Sequence, residues 1–271
     1  MDRSEIASLI LARLKATGPT AREQFARQSY FVVDDLLPED LARRIHLAFP
    51  DPSKMMLRKS IRELKYVTSQ MDACDPLLDA IVFAFQDRRV VDEIAAITGL
   101  EQVEPDEKLY AGGISLMGPG HYLHPHIDNS HDMQRERYRI LNLLYYAAPE
   151  WKLEDGGNLE LWPGGTRGTP HTIHSKFNRL AVIATNQTSW HSVSKVTANR
   201  NRTCVSNYYF SKVSPGKEDY FHVTSFRGRP GEPVRDLMLR ADAALRSFIR
   251  KVVPSGLVRT RHYYKKMKGN S

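Results

Sequence analysis

His126 and Asp128 stand two residues apart in HYLHPHIDNSHD, residues 121–132, a stretch with four histidines and two aspartates. In an extended chain residues i and i+2 point to the same side, so this pair can bite one divalent ion. Two histidines and one carboxylate on one face of an ion form the ligand set of non-haem Fe(II) sites, which leaves the opposite positions open for chemistry. The third ligand must then come from far along the chain, and His191 offers it in TSWHSVSKV, beside a strand-like run. Eleven residues further, Arg202 in NRNRTCVSNYYF carries a guanidinium that can pair bidentately with a carboxylate. Blander readings compete. The histidines can belong to an exposed polar loop, or His124 and His126 can share a zinc ion, and Arg200 is a rival for Arg202. His121, His131, His171 and His174 read as surface or loop residues outside any metal set.

These residues fall in a β-rich part of the chain. From about residue 108 short runs such as KLYAGGISLM, RILNLLYYA, GGNLELWP, RLAVIAT, WHSVSKV and RTCVSNYYF follow one another, punctuated by Gly, Pro and Asn. That is the pattern of an antiparallel sandwich or barrel. Upstream, roughly the first 30 residues read as a helix packing through Leu9, Ile10, Leu14 and Phe25. YFVVDDLLPEDLARRIHLAF reads as a strand, a turn and a helix opening at Pro38. DPLLDAIVFAFQDRRVVDEIAAITG reads as one or two helices ending at Gly99. From Pro233 the pattern is helical again, with an apolar stripe of Leu237, Ala241, Leu245, Phe248 and Val252.

The ordered set His126-x-Asp128, His191 and Arg202-Thr203-Cys204 resembles the Fe(II)/2-oxoglutarate-dependent dioxygenases, in their prolyl-4-hydroxylase-like branch. The Arg-x-Ser motif of that superfamily is present here with Cys204 in the serine's place. YFVVDDLLPEDL resembles the branch's N-terminal strand and helix. RILNLLYYA resembles the strand that offers a tyrosine to the 2-oxoglutarate carboxylate, best matched by Tyr146, and EDGGNLELWP resembles the Gly-Gly-x-Leu-x-Leu signature. The likeness runs over residues 28–212, with a weaker similarity at FRGRPGE (226–232). It implies an α+β, mainly β fold with a double-stranded β-helix (jelly-roll, cupin-like) core, N-terminal supporting helices and a C-terminal helix. One integrated domain is expected, with helical and strand support over 1–107, the catalytic core over 108–212, and a C-terminal extension with a basic amphipathic helix over 213–271. The resemblance further implies Fe(II) on His126, Asp128 and His191, and 2-oxoglutarate with its far carboxylate on Arg202, beside Tyr146 and Cys204. O2 is then the oxidant and ascorbate a candidate reductant, with succinate and CO2 released as a C–H bond is hydroxylated. Halogenases of this superfamily have glycine or alanine at the position of Asp128, so the aspartate argues against halogenation.

Composition sets the remaining bounds. Of 271 residues, 41% are hydrophobic and 26% charged, as in ordinary globular proteins, and no apolar run is long enough to span a bilayer. The N-terminal 18 residues read as an amphipathic helix and not as a signal peptide, and the two cysteines make neither a disulfide framework nor a CxxC pair. A reducing cytoplasm is therefore expected. The formal charge is +8, and residues 235–271 account for all of it, with ten Lys/Arg against two acids. The catalytic part is thus balanced, and no nucleic acid is expected as a partner. The basic tail either packs on the catalytic domain or makes peripheral contact with an anionic membrane or partner. Three functional classes follow: an oxygenase acting on a small molecule or a sugar or lipid-linked glycan, a prolyl or other protein-residue hydroxylase, and a non-catalytic or zinc-binding β-helix protein. The intact triad and arginine argue against the third. Relatives of similar layout in bacterial surface-polysaccharide pathways favour the first, with loops 129–137 and 163–178 as the expected substrate surface.

Overall fold

The structure, a computed structural model, describes residues 1–216, 218–252 and 263–266. In chain order its elements are α1 (Arg3–Gln28), β1 (Tyr30–Val33), α2 (Glu39–Leu47), β2 (Met56–Lys59), β3 (Glu63–Thr68), α3 (Pro76–Ala84) and α4 (Arg88–Thr98). The strands β4 (Glu104–Pro105), β5 (Gly113–Met117), β6 (Tyr122–Ile127), β7 (Tyr138–Tyr146), β8 (Leu159–Leu161) and β9 (His171–Ile173) follow. Then come β10 (Arg179–Ala184), β11 (His191–Val193), β12 (Arg202–Ser211), β13 (Ser225–Phe226) and α5 (Pro233–Val252).

Local chemistry fixes the helical layer. Asp2 and Glu5 cap α1 reciprocally, each side chain accepting the other's backbone N–H. Asp75 and Asp87 accept amides in the first turns of α3 and α4, and Pro76 opens α3 where no N–H is needed. α1 buries Ile6, Ile10, Leu14 and Ala21 at helical spacing, and α4 buries Val90, Val91, Ile94 and Ile97. Leu9 and Phe25 pack at the margin of the same core. That core joins α1–α4 to one face of β1, β10, β7 and β12, through side chains such as Phe31, Leu141, Tyr145, Val182 and Tyr209. The helices therefore back one wall of the sheet and leave its other face for the site.

All strand pairings are antiparallel, in the order β1-β10-β7-β12-β5-β3-β6-β11-β8-β9, with β2, β4 and β13 added on β3, β12 and β6. The sheet curls until its two ends meet: the Tyr30 hydroxyl on β1 and His171 Nε2 on β9 share a hydrogen bond of 2.6 Å. This is the double-stranded β-helix expected. Two strands of the main path come from the N-terminal segment, β1 at one end and β3 between β5 and β6, and the added strands β2 and β4 come from it as well.

α5 docks through its polar side. Asp236 pairs with Arg227, Asp242 with Arg62, and Arg235 donates to His124 Nε2 at 2.9 Å. Among the described apolar side chains of α5 only Leu239 is fully buried, while Leu237, Leu245 and Phe248 are 67%, 60% and 66% exposed. The stripe marked in the sequence thus faces outward. The side chain of Val252 and residues 253–262 and 267–271 of the basic tail lie outside the described residues. Tyr264 packs on Phe83 of α3, ring centroids 5.2 Å apart. No helix among the described residues is long and apolar enough to cross a membrane.

Candidate active site

β6 and β11 run antiparallel with His126 directly opposite His191, which brings the two imidazoles side by side, centroids 4.2 Å apart and planes tilted by 48°. Asp128, two residues past His126, lies between them: its Oδ1 is 3.7 Å from His126 Nε2 and its Oδ2 is 3.7 Å from His191 Nε2. One donor atom from each of the three residues fits within 4.8 Å of the others, so the set can hold one metal ion. Each imidazole is oriented by the carbonyl two residues before it. His126 Nδ1–H donates to the His124 carbonyl and His191 Nδ1–H to that of Ser189, both at 2.9 Å. Because a carbonyl only accepts, both Nδ1 atoms carry a proton and both Nε2 atoms face Asp128. Burial, followed by the neighbouring His191, lowers the His126 pKa to about 3, so this ring is a neutral donor at ordinary pH. Burial pushes the Asp128 carboxyl up, but Arg139 with the two imidazoles and Lys65 more than reverses this and holds it at about 2. Its Oδ2 has no hydrogen-bond partner among the described residues. Two imidazole nitrogens and one unsatisfied anionic oxygen are a donor set that suits a divalent ion such as Fe(II).

The zinc alternative on His124 and His126 does not fit. The pairing runs from His126–His191 to Leu123–Val193, three residues on β6 against two on β11, which is a bulge at Pro125, a residue with no N–H for the ladder. The bulge breaks the i, i+2 rule. His124 turns away to Arg235 and the Tyr122 ring. His131 bonds Ser130, His171 bonds Tyr30, His174 bonds the Trp151 carbonyl and His121 lies against Tyr66; none joins the metal-ligand set.

Further into the same cavity, of about 310 Å³, lies Arg202, only 2% exposed. Its Nε donates to Ser175 Oγ at 3.2 Å, its guanidinium stacks over the Tyr146 ring at 4.8 Å, and no carboxylate of the described residues pairs with it. The Tyr146 hydroxyl, with Ser175 and Arg202 as polar neighbours, makes no hydrogen bond of its own, and burial raises its pKa to about 12. A buried cation beside an unused hydroxyl leaves an anion-shaped gap in the bonding, and a dicarboxylate cosubstrate fits it. Cys204 shares this wall, opposite Tyr146 in the β12–β7 register, and burial keeps its thiol protonated by raising its pKa. Gly157 is what lets Arg202 in: its φ is +62°, and a Cβ there would lie 2.8 Å from Arg202 Cδ. Arg200 lies outside the strand, ion-paired to Asp155 at 2.5 Å and stacked on Trp151.

Sequence reasoning missed Arg139. Counting by twos from inward Tyr146 places residue 139 on the outer face. However, β7 pairs Leu141 with Tyr209 and Arg139 with Phe210, a bulge that skips Ile140 and turns Arg139 inward. There it is 2% exposed, 3.4 Å from Asp128 Oδ1, and stacked on Tyr208 at 4.2 Å. Its Nε and Nη2 have no hydrogen-bond partner among the described residues. Lys65 and Arg58, on β3 and β2, also line the cavity, flanking Glu63. Asn129 and Thr224 contribute as well, whereas no residue of 163–178 does. Of the two loops expected to form the substrate surface, only Asn129 of 129–137 lines the cavity. The segment 219–224 is stapled over that loop by Ser130, which donates its N–H to the His222 carbonyl at 3.0 Å.

Residues 112–210 match the sequence model of the 2OG-Fe(II) oxygenase superfamily. No curated protein matches the sequence. Among solved structures, the chain is similar to a Pseudomonas putida prolyl-4-hydroxylase (18% identity over 72% of this chain and 98% of that one, TM-score 0.56). It is also similar to a prolyl 4-hydroxylase of Phytophthora capsici (18% identity, 91% and 78% covered, TM-score 0.55). The α-ketoglutarate-dependent epimerase SnoN from nogalamycin biosynthesis matches too (12% identity, 82% and 89% covered, TM-score 0.50). At these identities the structural likeness is one of fold. Residues 112–210 thus carry the match to the 2OG-Fe(II) oxygenase superfamily, and the barrel around them has the fold of these neighbours. The protein is a 2-oxoglutarate-dependent iron dioxygenase, with Fe(II) as metal and 2-oxoglutarate as cosubstrate.

Proposed function

We propose that His126, Asp128 and His191 hold the iron, that Arg202 and Tyr146 receive the far carboxylate of 2-oxoglutarate beside Cys204, and that the enzyme hydroxylates a C–H bond of an anionic or hydroxyl-rich small molecule, a sugar or a lipid-linked glycan among them. When bound, iron with 2-oxoglutarate and O2 supplies the oxidation, releasing succinate and CO2. The chain's own residues orient and select. The two backbone-anchored imidazoles fix the direction of the open ligand positions. Tyr146, neutral at ordinary pH, can only donate to a carboxylate, and the protonated Cys204 adds no charge to repel it.

The observation that supports this substrate class is Arg139, a buried guanidinium with two free nitrogens on the metal side of the cavity, with Lys65 and Arg58 nearby. A desolvated cation of this kind favours an anion or a cluster of hydroxyl oxygens over the apolar ring of proline. The test is succinate release by the Fe(II)-loaded protein with 2-oxoglutarate and ascorbate, across acidic sugars, glycan fragments and proline-rich peptides. Acidic or hydroxyl-rich candidates should stimulate it and gain one oxygen atom. Arg139→Met should raise the substrate KM about tenfold or more, with the 2-oxoglutarate KM little changed. Stimulation by proline-rich peptides alone would transfer the assignment to a protein-residue hydroxylase.

A further inference from the structure

α5 is amphipathic in the reverse sense from a helix that packs on its own domain. The inward side is polar: Asp236 is bidentate to Arg227 at 2.6 and 3.0 Å, Asp242 takes Arg62 and Arg246, and Arg246 donates to the Thr224 carbonyl at 2.6 Å. The outward side carries Val234, Leu237, Met238, Leu245 and Phe248, each more than half exposed, with Ala241 and Ala244 also exposed between them. From Val234 to Phe248 this face runs for about 21 Å along the helix. It is held in place by two ion pairs, Asp236–Arg227 and Asp242–Arg62, and by the hydrogen bonds of Arg246 to Thr224 and Arg235 to His124, so it is a fixed part of the surface. An uninterrupted apolar face of this length on a folded domain marks a contact surface.

We propose that this face docks on an anionic lipid bilayer. The charge distribution selects that occupant. Residues 235–271 hold ten Lys/Arg and two acids, and both acids, Asp236 and Asp242, are spent on the inward ion pairs. Arg240 shares the exposed side of the helix, with Arg250 and Lys251 following in sequence. An apolar helix face accompanied by cations with no free acid suits the interface of a negatively charged membrane, where the side chains enter the acyl boundary and the cations meet the headgroups. Pairing with a second copy of α5 would instead bring together two helices that each carry five Lys/Arg against two acids, a net +3 apiece.

The experiment is co-sedimentation of the full-length protein with phosphatidylglycerol vesicles and with phosphatidylcholine vesicles, alongside the double variant Leu237→Glu/Leu245→Glu. Both leucines are exposed, so the variant should keep the wild-type Tm, which is measured in parallel. Wild type should bind the anionic vesicles, bind phosphatidylcholine weakly, and lose binding as salt is raised. The variant should bind about tenfold more weakly or worse. Equal binding by variant and wild type overturns the proposal, as does a wild type that ignores both vesicles. A wild-type dimer that the double variant dissociates in analytical ultracentrifugation, without vesicle binding, overturns it in favour of self-association.

Discussion

Arg202 and Arg200 are two residues apart in sequence and opposite in environment: one is 2% exposed and unpaired, the other sits at the rim on Asp155. A carboxylate brought into the cavity leaves water, so its partner must be a fixed inward cation, and a charge-assisted hydrogen bond there is worth roughly 1.5–3 kcal/mol. Arg202→Ala should therefore raise the 2-oxoglutarate KM ten- to a hundredfold or more. Steady-state kinetics should find Arg200→Ala within a few-fold of wild type, and iron binding little changed in either. If Arg200→Ala has the larger effect, the carboxylate enters from the rim. The residues that form this geometry were legible to different degrees. His126 and Asp128 could be read because i and i+2 share a side, and Arg202 because TANRNR reads as a turn feeding a strand, which leaves Arg200 before it. Arg139 could not, because a bulge one residue away reverses the side it faces and period-two counting has no term for bulges.

At the scale of elements, two glycines and two bulges set the cavity's shape. Gly156 and Gly157 both have positive φ, and a Cβ on Gly156 would lie 2.0 Å from the Lys195 carbonyl oxygen. The double glycine of EDGGNLELWP could be read as a bend, but its second role, making room for the methylenes of Arg202, depends on β12 lying across it. Gly157→Ala should cost about 1–2 kcal/mol in stability from its left-handed backbone alone. It should also displace Arg202, so 2-oxoglutarate affinity should fall while metal affinity holds. Isothermal titration of the metal-loaded variant separates the two, and an unchanged 2-oxoglutarate affinity would show that Arg202 has room to give. The bulge at Pro125 explains why His124, though i+2 from another histidine, belongs to α5's anchorage. β3 was unreadable for a different reason. Its entry between β5 and β6 joins residues some fifty positions apart, and no local pattern in ELKYVT names those neighbours.

Across the whole molecule the metal set and the carboxylate set stand on different strands of one curled sheet. His126 and His191 tie β6 to β11, while Arg202 and Tyr146 belong to β12 and β7. A ligand held by both sets would cross-link the barrel, and anything that binds only the folded state stabilises it by mass action, about 2.7 kcal/mol at a hundredfold excess over Kd. For a chain of this size that is a Tm rise of roughly 5–10 °C. Mn(II) or Co(II), which avoid iron's oxidation, should give this rise over protein stripped with chelator, and zinc should do the same while inhibiting turnover, since such a donor set does not discriminate in favour of iron. 2-Oxoglutarate should add a second increment only when metal is present, because chelation couples the two sets. Differential scanning fluorimetry of two variants then separates the assignments: Asp128→Ala should lose the metal increment and with it the second, whereas Arg202→Ala should lose the second alone. A metal shift that survives intact in Asp128→Ala would mean the ion binds elsewhere, and a 2-oxoglutarate shift without metal would mean the cosubstrate is held by the cations only.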